Sequence, residues 1–494
     1  MTNANSSNAV RETAADLLKE IAKEREALIK AGKMKKAKPL PEITIDEIPY
    51  EIPDNWEWVR LSSCGIFISG YTPKNVDLSN NGSIPYFKVS DMNRQENKKY
   101  MYKTDLYLND DVNTPKTYPK ETIIYPKNGG ALLTNKKRIL LTDSVVDLNT
   151  GGYLPSPSLS LDYIYQYFLG IDFKDYQTGS TVPTLNQDRL QKSLIPIPPL
   201  SEQKKIVALL DDVLSRIDKV RENIERNIEN AEEIYQKRLE NVFHGALTSN
   251  GSPDSVDELL AEIQKERETL IKAGKMKKEK PLPPISDDEI PYSIPYTWKW
   301  VKMASISTKI TDGEHKTPKR VDKYQGYYLL SARNVCNGYL QLDDVDYVDE
   351  DEYNNISRRC NPQYGDVLLS CSGSVGRCAI VPDDNHYVMV RSAAMISPLC
   401  VDSKFLMYTI QSPALQTQIK NSSKQTAQAN LFQEPIRNLL VPLPPLSEQK
   451  KIASHLDELR KQTDALKARY TAKLQALDEL KQSLLEKAFR GELT

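Results

Sequence analysis

The chain consists of two copies of one unit. Lys23–Pro41 and Lys265–Pro283 differ at only two of nineteen positions, and Pro198–Ile206 (Pro-Pro-Leu-Ser-Glu-Gln-Lys-Lys-Ile) returns as Pro444–Ile452. The period of roughly 245 residues is far longer than a solenoid repeat. Each copy is therefore predicted to be a domain with an attached element, and the two copies are expected to be related by a pseudo-twofold axis.

The end of each copy has the pattern of one long amphipathic helix. These helices are predicted over 200–248 and 446–494, with Ser201 and Ser447 as N-caps. Their apolar stripes consist of Leu210, Val213, Ile217, Val220, Ile224, Ile228, Ala231, Ile234, Leu239 and Val242 in the first, and of Ile452, Leu456, Leu459, Leu466, Leu474, Leu477, Leu480, Leu484 and Ala488 in the second.

Each such helix would reach on the order of 70 Å. A stripe so narrow and long is not buried by one globular domain, so the sequence predicts that the two helices pair as an antiparallel coiled coil. The alternative is two independent helices at the edges of their domains.

The middle of each copy, 46–199 and 288–445, is rich in tyrosine and β-branched residues interrupted by Gly, Pro and Asn. Strands are predicted at 122–125, 139–141, 366–369 and 387–390. Each middle is therefore interpreted as a mixed α/β domain with substantial sheet.

A lead-in precedes each middle, over residues 1–45 and 249–287. Helices are predicted at Ala14–Ala31 and Val256–Ala273, each followed by a basic, proline-rich connector. The predicted fold is thus two α/β domains separated by two long antiparallel helices.

Composition excludes several classes of protein. Hydrophobic residues make up 39% of the 494, charged residues make up 27%, and the net charge is -1, which is typical of a globular protein. No stretch approaches the roughly 18 apolar residues of a spanning helix, and residues 1–10 are not a signal peptide, so a cytoplasmic protein without a membrane partner is expected. Six cysteines without a Cys-x-x-Cys pair, and only four histidines, predict neither a disulfide framework nor a metal site.

Motifs of catalysis are lacking. The sequence contains no Gly-x-x-x-x-Gly-Lys-Ser/Thr loop and no Gly-x-Gly-x-x-Gly. Asn361–Tyr364 (Asn-Pro-Gln-Tyr) resembles the Asn-Pro-Pro-Tyr loop of DNA adenine methyltransferases, but Asn361-Pro362 followed by Tyr364-Gly365 also predicts a turn that leads into a strand. His244, His315, His386 and His455 suggest no triad or metal cluster. No catalytic residue is predicted.

Because the net charge is near neutral, any DNA-binding surface must come from local clusters. Arginine and lysine contact phosphates or guanine, asparagine pairs with adenine, and glycine allows close approach. The candidate DNA-binding residues are Thr72, Lys74, Lys88, Arg94, Lys127, Lys136, Lys137 and Arg138 in the first copy, and Lys316, Thr317, Lys319, Arg333, Asn334, Arg358, Arg359, Arg377 and Arg391 in the second. Taken singly, each could equally be a solvated surface charge.

This arrangement resembles the DNA-specificity subunits of type I restriction-modification systems, in which recognition domains alternate with helices. The resemblance rests on repeated motifs at Pro196–Ile206 and Pro442–Ile452, and on Pro-x-x-Trp-x-Trp-Val at Pro53–Val59 and Pro295–Val301. Thr72-Pro73 and Thr317-Pro318 match the Thr-Pro that follows the first strand of the recognition domain in that family. Gly-Ser-Thr at 179–181 is replaced by a different sequence at 422–426 in the second copy.

The resemblance implies that 46–199 and 288–445 are target recognition domains, each reading one half of an asymmetric, bipartite double-stranded DNA target. The helices would set the spacer, with half-sites near one helical turn, roughly 34–36 Å, apart. Two methyltransferase subunits would dock, and restriction (motor) subunits would join for cleavage. The chain itself would bind no cofactor, whereas the assembled complex would use S-adenosylmethionine, ATP and Mg²⁺. Two alternatives stay open: a self-contained adenine methyltransferase and a coiled-coil adaptor for proteins.

Overall fold

The chain divides into two compact units. The computed structural model describes residues 13–31, 40–74, 77–109, 112, 117–179, 182–248, 254–423 and 430–493. The first unit comprises Met1–Ile224 and Ala472–Thr494, and the second comprises Glu225–Thr471. Each unit therefore contains one sheet domain and a stretch of both long helices.

The first unit is a mixed α/β structure. Its helices are α1 (Ala14–Lys30), α2 (Leu161–Gly170), α3 (Gln187–Lys192) and the start of α4 (Leu200–Phe243). Its strands are β1 (Glu57–Arg60), β2 (Gly65–Ser69), β3 (Leu78–Ser79), β4 (Ile84–Phe87), β5 (Tyr100–Met101), β6 (Tyr107–Leu108), β7 (Ile123–Pro126), β8 (Arg138–Leu140), β9 (Val145–Val146), β10 (Thr150–Pro155), β11 (Gln177–Thr178), β12 (Thr184–Leu185) and β13 (Leu194–Ile197). The main sheet has the order β2-β10-β7-β8-β5, and a smaller sheet has the order β3-β6-β4-β9.

The second unit repeats this plan. Its helices are α5 (Val256–Lys272), α6 (Glu350–Ser357), α7 (Ser403–Gln411), α8 (Pro413–Ser423), α9 (Gln433–Asn438) and the start of α10 (Leu446–Phe489). Its strands are β14 (Lys299–Lys302), β15 (Ser307–Asp312), β16 (Tyr327–Leu330), β17 (Asp346–Tyr347), β18 (Val367–Ser370), β19 (Cys378–Ile380), β20 (His386–Met389), β21 (Ala393–Pro398) and β22 (Leu440–Leu443). The main sheet has the order β15-β21-β18-β19, and the smaller sheet has the order β17-β16-β20.

Equivalent strands pair in the same way in both units. β1 pairs antiparallel with β13, as β14 does with β22, and β2 pairs antiparallel with β10, as β15 does with β21. In the small sheets β4 pairs parallel with β9, and β16 pairs parallel with β20. The predicted α/β fold class and the internal repeat are confirmed, and β7, β8, β18 and β20 lie within a residue of the predicted strands.

The long helices begin one residue before the predicted N-caps. They start at Leu200 and Leu446, so Ser201 and Ser447 lie inside the first turn and the N-cap prediction is wrong. The carbonyl of the preceding proline, Pro199 in α4, accepts the first amides instead. A helix end assigned one residue away is the usual error of sequence reasoning.

The buried side of each long helix follows a heptad spacing. In α4 the buried seam runs through Leu210, Leu214, Ile217, Ile224, Ala231, Tyr235, Leu239 and Val242. Val220 and Ile234, predicted in the stripe, are exposed, as are Leu466 and Leu480 of α10. The stripe prediction failed at these four positions because it assigned only apolar residues to the buried side. Polar residues also lie in the seam, since a long side chain can bury its stem while its charged head stays in water.

Within each unit, α4 and α10 contact one another. In the first unit Arg221 forms an ion pair with Asp478. In the second, Glu232 accepts hydrogen bonds from Arg460 at 3.0 Å and Lys467 at 2.8 Å, and the Arg460 guanidinium lies over the Tyr235 ring. Inside the second unit Lys467 contacts Glu232, whereas Arg460, earlier in α10, lies over Tyr235, later in α4, so the two helices run antiparallel there, as predicted. These two helices are called the spine below.

The repeated Glu-Gln of each spine helix fastens it to its domain. Trp56 Nε1 donates to Glu202 at 2.7 Å, and Trp298 Nε1 donates to Glu448 at 3.1 Å. The following glutamine, for instance Gln203, accepts the Ser160 amide at 2.9 Å. The motif that defines the duplication therefore has a structural role that joins helix to sheet domain.

The end of each spine helix enters a core in the other copy of the duplicated sequence. Phe489 of α10 packs edge-on against Tyr163 and Tyr167 in the first unit. Phe243 of α4 packs against Phe405 in the second. Each sheet domain is thus completed by the helix that belongs to the other repeat.

The lead-in helices, whose role the sequence does not reveal, pack on the sheet domains. Arg25 of α1 donates to the Ser62 carbonyl at 2.6 Å, and Arg267 of α5 donates to the Ala304 and Ser305 carbonyls at 2.8 Å. Both arginines close the turn that precedes the first strand of the main sheet. No helix in the described part of the chain is long and apolar enough to cross a membrane.

Candidate nucleic-acid interface

In both units the Thr-Pro-Lys loop leaves the first strand of the main sheet at a glycine that cannot be replaced without movement. A Cβ on Gly70 would lie 2.0 Å from the Asp147 carbonyl oxygen, and one on Gly313 would lie 2.2 Å from the Met389 carbonyl oxygen. Only glycine allows the chain to pass this close to the neighbouring backbone. The loop is thereby held against the end of the small sheet in each unit.

The loops carry exposed candidates. Thr72, Lys74, Lys316, Thr317 and Lys319 are all exposed. The Thr72 hydroxyl accepts the Leu148 amide at 3.3 Å, so it also fixes the loop of the first unit.

A carboxylate anchors the loop of the second unit. Asp312, at the end of β15, accepts hydrogen bonds from Arg359 at 2.5 Å, His315 at 2.7 Å and Gln433 at 2.6 Å. Partial burial raises the pKa of Asp312, but the hydrogen bonds from Arg359 and His315 outweigh it, so the pKa lies below its ordinary value. Arg359 thus ties α6 to the loop, and Arg358 beside it is exposed.

Six candidates are exposed cations without an ion-pair partner among the described residues: Lys74, Lys88, Lys316, Lys319, Arg358 and Arg391. Four of the six belong to the second unit. The Arg391 amide bonds to the Glu314 carbonyl at 3.0 Å, which places Arg391 beside the second loop. Unpaired, solvated cations are the groups that neutralise DNA phosphates and release counterions.

The remaining candidate cations of the first unit are bonded within the fold or partly buried. Arg94 is held by Asp91 at 2.9 Å and by Asp105, Lys136 donates to Asn93, and Arg138 donates to the Met92 carbonyl at 3.1 Å. Burial lowers the pKa of Lys127 and of Arg138. Arg94, Lys136 and Arg138 are thus bonded to neighbouring groups of the fold, and Lys127 is half-buried.

Lys137 is fully buried and does not belong to the predicted surface. Its ammonium donates to Asn135 Oδ1 at 2.7 Å and to the Ile171 carbonyl at 2.6 Å, and it lies 4.2 Å from the centroid of the Phe173 ring. Burial lowers its pKa to about 7. The prediction that Lys137 contacts DNA is corrected: its side chain supports the turn at Asn135 from below.

Asn334 is also buried, and its side chain is used within the fold. Its oxygen accepts the Ser331 amide at 2.9 Å, and its nitrogen donates to the Gln341 and Asp344 carbonyls at 3.0 Å. With these bonds made, no donor or acceptor pair is left to read adenine, so its predicted role is corrected as well. Asp91 fixes the equivalent turn in the first unit by accepting the Lys88 amide at 2.9 Å.

Two of the remaining candidates in the second unit are arginines near this turn. Arg377 is half-buried and donates to the Ala332 carbonyl at 2.7 Å. Arg333 is exposed and bonds to Asp346 at 2.9 Å, and the other oxygen of Asp346 binds Arg320 at 2.9 Å. Sequence reasoning missed Arg320, although it follows the Thr-Pro-Lys motif directly, and it missed Asp346.

The described residues contain no group of three or more metal-ligating side chains in position to hold an ion. Asn361–Tyr364 forms a loop, as its turn residues predict, with the Asn361 oxygen accepting from Tyr353 at 3.2 Å and Tyr364 exposed. What the two units offer is exposed cations on glycine-held loops, with polar groups fixed behind them. Such surfaces suit binding to a polyanion.

Comparison with known proteins identifies the family. The model of the type I restriction modification DNA specificity domain matches residues 53–230 and 295–476. The type I restriction enzyme EcoAI specificity subunit of Escherichia coli is 25% identical over 527 aligned residues, covering 92% of this chain and 86% of that protein. The EcoEI specificity subunit of Escherichia coli is likewise 25% identical, over 97% of this chain and 90% of that protein.

The fold has a counterpart among solved structures. A chain from a structure described as the basis of complex assembly and conformational transition of the type I R-M system superposes with a TM-score of 0.64 at 18% identity, covering 90% of this chain and 100% of that one. The family model matches each sheet domain together with part of the spine helix that follows it. The chain therefore belongs to the type I restriction-modification DNA specificity family, of whose domain it carries two copies.

Proposed function

We propose that this chain recognises a bipartite, asymmetric sequence in double-stranded DNA, one half-site per unit. The observation that carries the proposal is the pairing of a repeated scaffold with unlike surfaces. The glycine-held loop recurs in both units, whereas the exposed candidate cations without an ion-pair partner among the described residues are Lys74 and Lys88 in one, and Lys316, Lys319, Arg358 and Arg391 in the other. Equivalent frames with different side chains suit two different half-sites.

Exchange of the first recognition domain tests this proposal. Residues 46–198 are replaced by the corresponding region of another family member, and the complex with its methyltransferase subunits is assayed on a library of duplexes. We expect one half of the methylated sequence to change while the other half is retained. An adaptor that binds only proteins would methylate the same sequence after the exchange, and that result would contradict the proposal.

We further propose that the spine fixes the spacer between the half-sites. Its seam follows a heptad spacing, so removing seven residues from each helix, 222–228 and 469–475, keeps the seam on one face while shortening the helices by about 10 Å. The preferred spacer should shrink by about three base pairs, at roughly 3.4 Å each, with both half-sites unchanged. A change in base preference with an unchanged spacer length would contradict the proposal that the spine fixes the spacer.

The partners proposed are two methyltransferase subunits, with restriction subunits joining for cleavage. Val220 and Ile234 of α4 and Leu466 and Leu480 of α10 are apolar side chains that the seam leaves exposed, with exposures of 40% to 58%. Apolar side chains on the outside of a helix pair are suited to binding another protein. Substituting them with serine should weaken co-purification of the methyltransferase without altering thermal stability.

In this proposal the chain is not itself catalytic, and S-adenosylmethionine, ATP and Mg²⁺ belong to the partner subunits. Incubation of the purified chain with labelled S-adenosylmethionine and DNA should give no methyl transfer until the methyltransferase is added. Transfer by the chain alone that is lost in an Asn361→Ala variant would instead support the methyltransferase alternative.

A further inference from the structure

We propose that Arg320 and Arg333, oriented by Asp346, each read a guanine in the half-site of the second unit. The three residues are called the arginine fork. The inference rests on the proposed function of the second unit as a DNA-reading domain, and it assigns base contact to Arg320 and Arg333 and a positioning role to Asp346.

One carboxylate holds both arginines. Arg320 Nε lies 2.9 Å from Asp346 Oδ2, and Arg333 Nη2 lies 2.9 Å from Asp346 Oδ1. The side chains are 45%, 48% and 29% exposed for Arg320, Arg333 and Asp346. A guanidinium has five N–H donors, so each arginine keeps donors that point away from the carboxylate and are accessible to a ligand.

The fold does not require these charges, since the first unit does without them. In the second unit Val321 forms a β-bridge with Tyr347, and in the first unit Ser79 pairs in the same way with Tyr107. The residue before Val321 is Arg320 and the residue before Ser79 is Leu78, so Leu78 occupies the place of Arg320. Asp346 pairs with Leu329 in the small sheet.

The position equivalent to Asp346 follows from the same small sheet. The Leu106 carbonyl accepts a hydrogen bond from the Tyr86 amide at 2.9 Å, just as Asp346 pairs with Leu329 in the second unit. Leu106 is therefore the equivalent of Asp346. Leu78 and Leu106 both pack on an apolar cluster around Tyr86. Two leucines in one unit and an arginine and an aspartate in the other fill the same positions, so the charges of the fork are an addition to a fold that is stable without them.

Stability does not explain the fork either. Ion pairs this exposed add little to the free energy of unfolding because water screens the charges and holding long side chains costs entropy. A carboxylate that grips an arginine does, however, reduce the rotamers that the guanidinium can adopt. An oriented guanidinium loses less freedom when it binds a planar acceptor pair.

Charge balance points to a base rather than a phosphate. Asp346 and, at 3.8 Å from Arg333, Asp344 together offset the two arginines, so the fork and Asp344 as a group have little net charge with which to attract phosphate. Guanine presents the O6 and N7 acceptors in the major groove that an arginine binds with two hydrogen bonds. The unpaired Lys316 and Lys319, which precede Arg320 in the chain, supply the phosphate contacts that position the domain.

The test uses the full-length chain with its methyltransferase subunits, and measures methylation of duplexes in which each base of both half-sites is varied. Arg320→Ala and Arg333→Ala should each reduce discrimination at a guanine position of one half-site on the order of 10- to 100-fold. That half-site should be the one retained when residues 46–198 are exchanged. Asp346→Asn should reduce discrimination at the same positions by a smaller factor.

A double variant guards against misfolding. Arg320→Leu with Asp346→Leu installs the pair found at Leu78 and Leu106, so it should fold, bind with the wild-type spacer and lose the guanine preference. Arg216→Ala, which removes an exposed arginine paired with Asp212 at 2.9 Å on the spine, is the matched control and should change neither half-site.

Three results would overturn the inference. They are unchanged base preference in the arginine variants, a change in the other half-site, and uniform weakening in which the slope of log affinity against log salt falls by about 0.9 per arginine, which marks a phosphate clamp. A wild-type complex without any sequence preference would instead overturn the proposed function itself, so the two failures are distinguishable.

Discussion

The small sheets of the two units hold their arginines in opposite ways. In the first unit two carboxylates, Asp91 and Asp105, hold the single guanidinium of Arg94. In the second unit Asp346 bonds two guanidinium groups, each at 2.9 Å, and Asp344 lies farther away, 3.8 Å from Arg333. Close bonds to two carboxylates use Arg94 within the fold, whereas Arg320 and Arg333 share one close carboxylate and keep donors for a ligand. A count of basic residues along the sequence does not distinguish these cases.

The largest effect should come from the aromatic residues that end the spine helices. Phe489→Ala should destabilise the first unit by about 3–5 kcal/mol, since truncating a buried phenylalanine removes contacts and leaves a cavity. Phe243→Ala should do the same to the second unit. Hydrogen exchange of the full-length chain should show loss of protection around Tyr163 in the first variant and around Phe405 in the second.

The exposed Leu480 provides the control for these variants, and Leu480→Ala should leave both patterns unchanged. Equal loss of protection in both units from either phenylalanine variant would show that the two units unfold together. That result would contradict the expectation that each phenylalanine stabilises one unit only.

Replacement of the loop glycines should have the next largest effect. Gly70→Ala and Gly313→Ala each place a Cβ within about 2 Å of a backbone oxygen, and relieving such overpacking costs about 1–3 kcal/mol. Each variant should impair methylation at one half-site only, a different one in each case, when the duplex library is assayed. Gly130→Ala, where no atom lies within 4 Å of the added Cβ, tests whether the substitution alone matters. Loss at both half-sites from one variant would contradict the assignment of one half-site per unit.

A dependence of stability on pH should separate the units through Lys137. Burial lowers the pKa of Lys137 in the folded chain to about 7 from 10.5, so between these values the unfolded chain binds the extra proton. The free energy of unfolding of the first unit should therefore rise by up to about 1 kcal/mol per pH unit from pH 7.5 to 9.5. Below pH 7 both states are protonated, and the cost of burying the charge is fully present.

Lys137→Met should flatten this rise, as urea unfolding at several pH values would measure. Lys136→Met, at the half-buried neighbour, should leave the slope as it is. A slope that survives in Lys137→Met would assign the effect to another group.

The smallest effect is expected for Arg94→Ala. The partner Asp105 is 70% exposed, so that pair contributes roughly 0–1 kcal/mol. The other partner, Asp91, is buried but keeps the Lys88 amide as a donor at 2.9 Å, so the loss in stability should be about 1 kcal/mol, and half-site preference should not change. A clear change in base preference would show that Arg94 reads DNA after all, and the contrast between its two carboxylates and the arginine fork would lose its meaning.

Local patterns made much of the fold predictable. The helices at 14–31 and 256–273, the long spine helices and four strands follow from periodicity, caps and turn residues, since those signals are confined to a few neighbouring residues. The exposure of Val220 and Leu466 was not predictable in this way. The buried seam repeats every seven residues and includes polar residues, so it does not coincide with a stripe chosen from apolar residues alone.

The candidate site was less predictable. By residue type, Lys137 and Asn334 are suitable for contacting DNA. Both are buried in the folded chain, however, so neither lies on the binding surface. Conversely, Arg320 and Asp346 are 26 residues apart in sequence and meet only through the pairing of the small sheet. Extending the basic run Lys316–Lys319 by one residue would have added Arg320, whereas no signal in the sequence marks Asp346.

The exchange of helix ends between repeats bears on how the protein is made. The first unit is closed by Phe489, which the ribosome adds 265 residues after Ile224 (489 − 224), the last residue of that unit's N-terminal part. Until Phe489 is made, the apolar site at Tyr163 and Tyr167 in the nascent first unit is unfilled. We therefore expect the nascent chain to bind chaperones. A polypeptide that stops before Phe489 would lack the side chain that packs against Tyr163 and Tyr167, so its first unit would keep an unfilled apolar site.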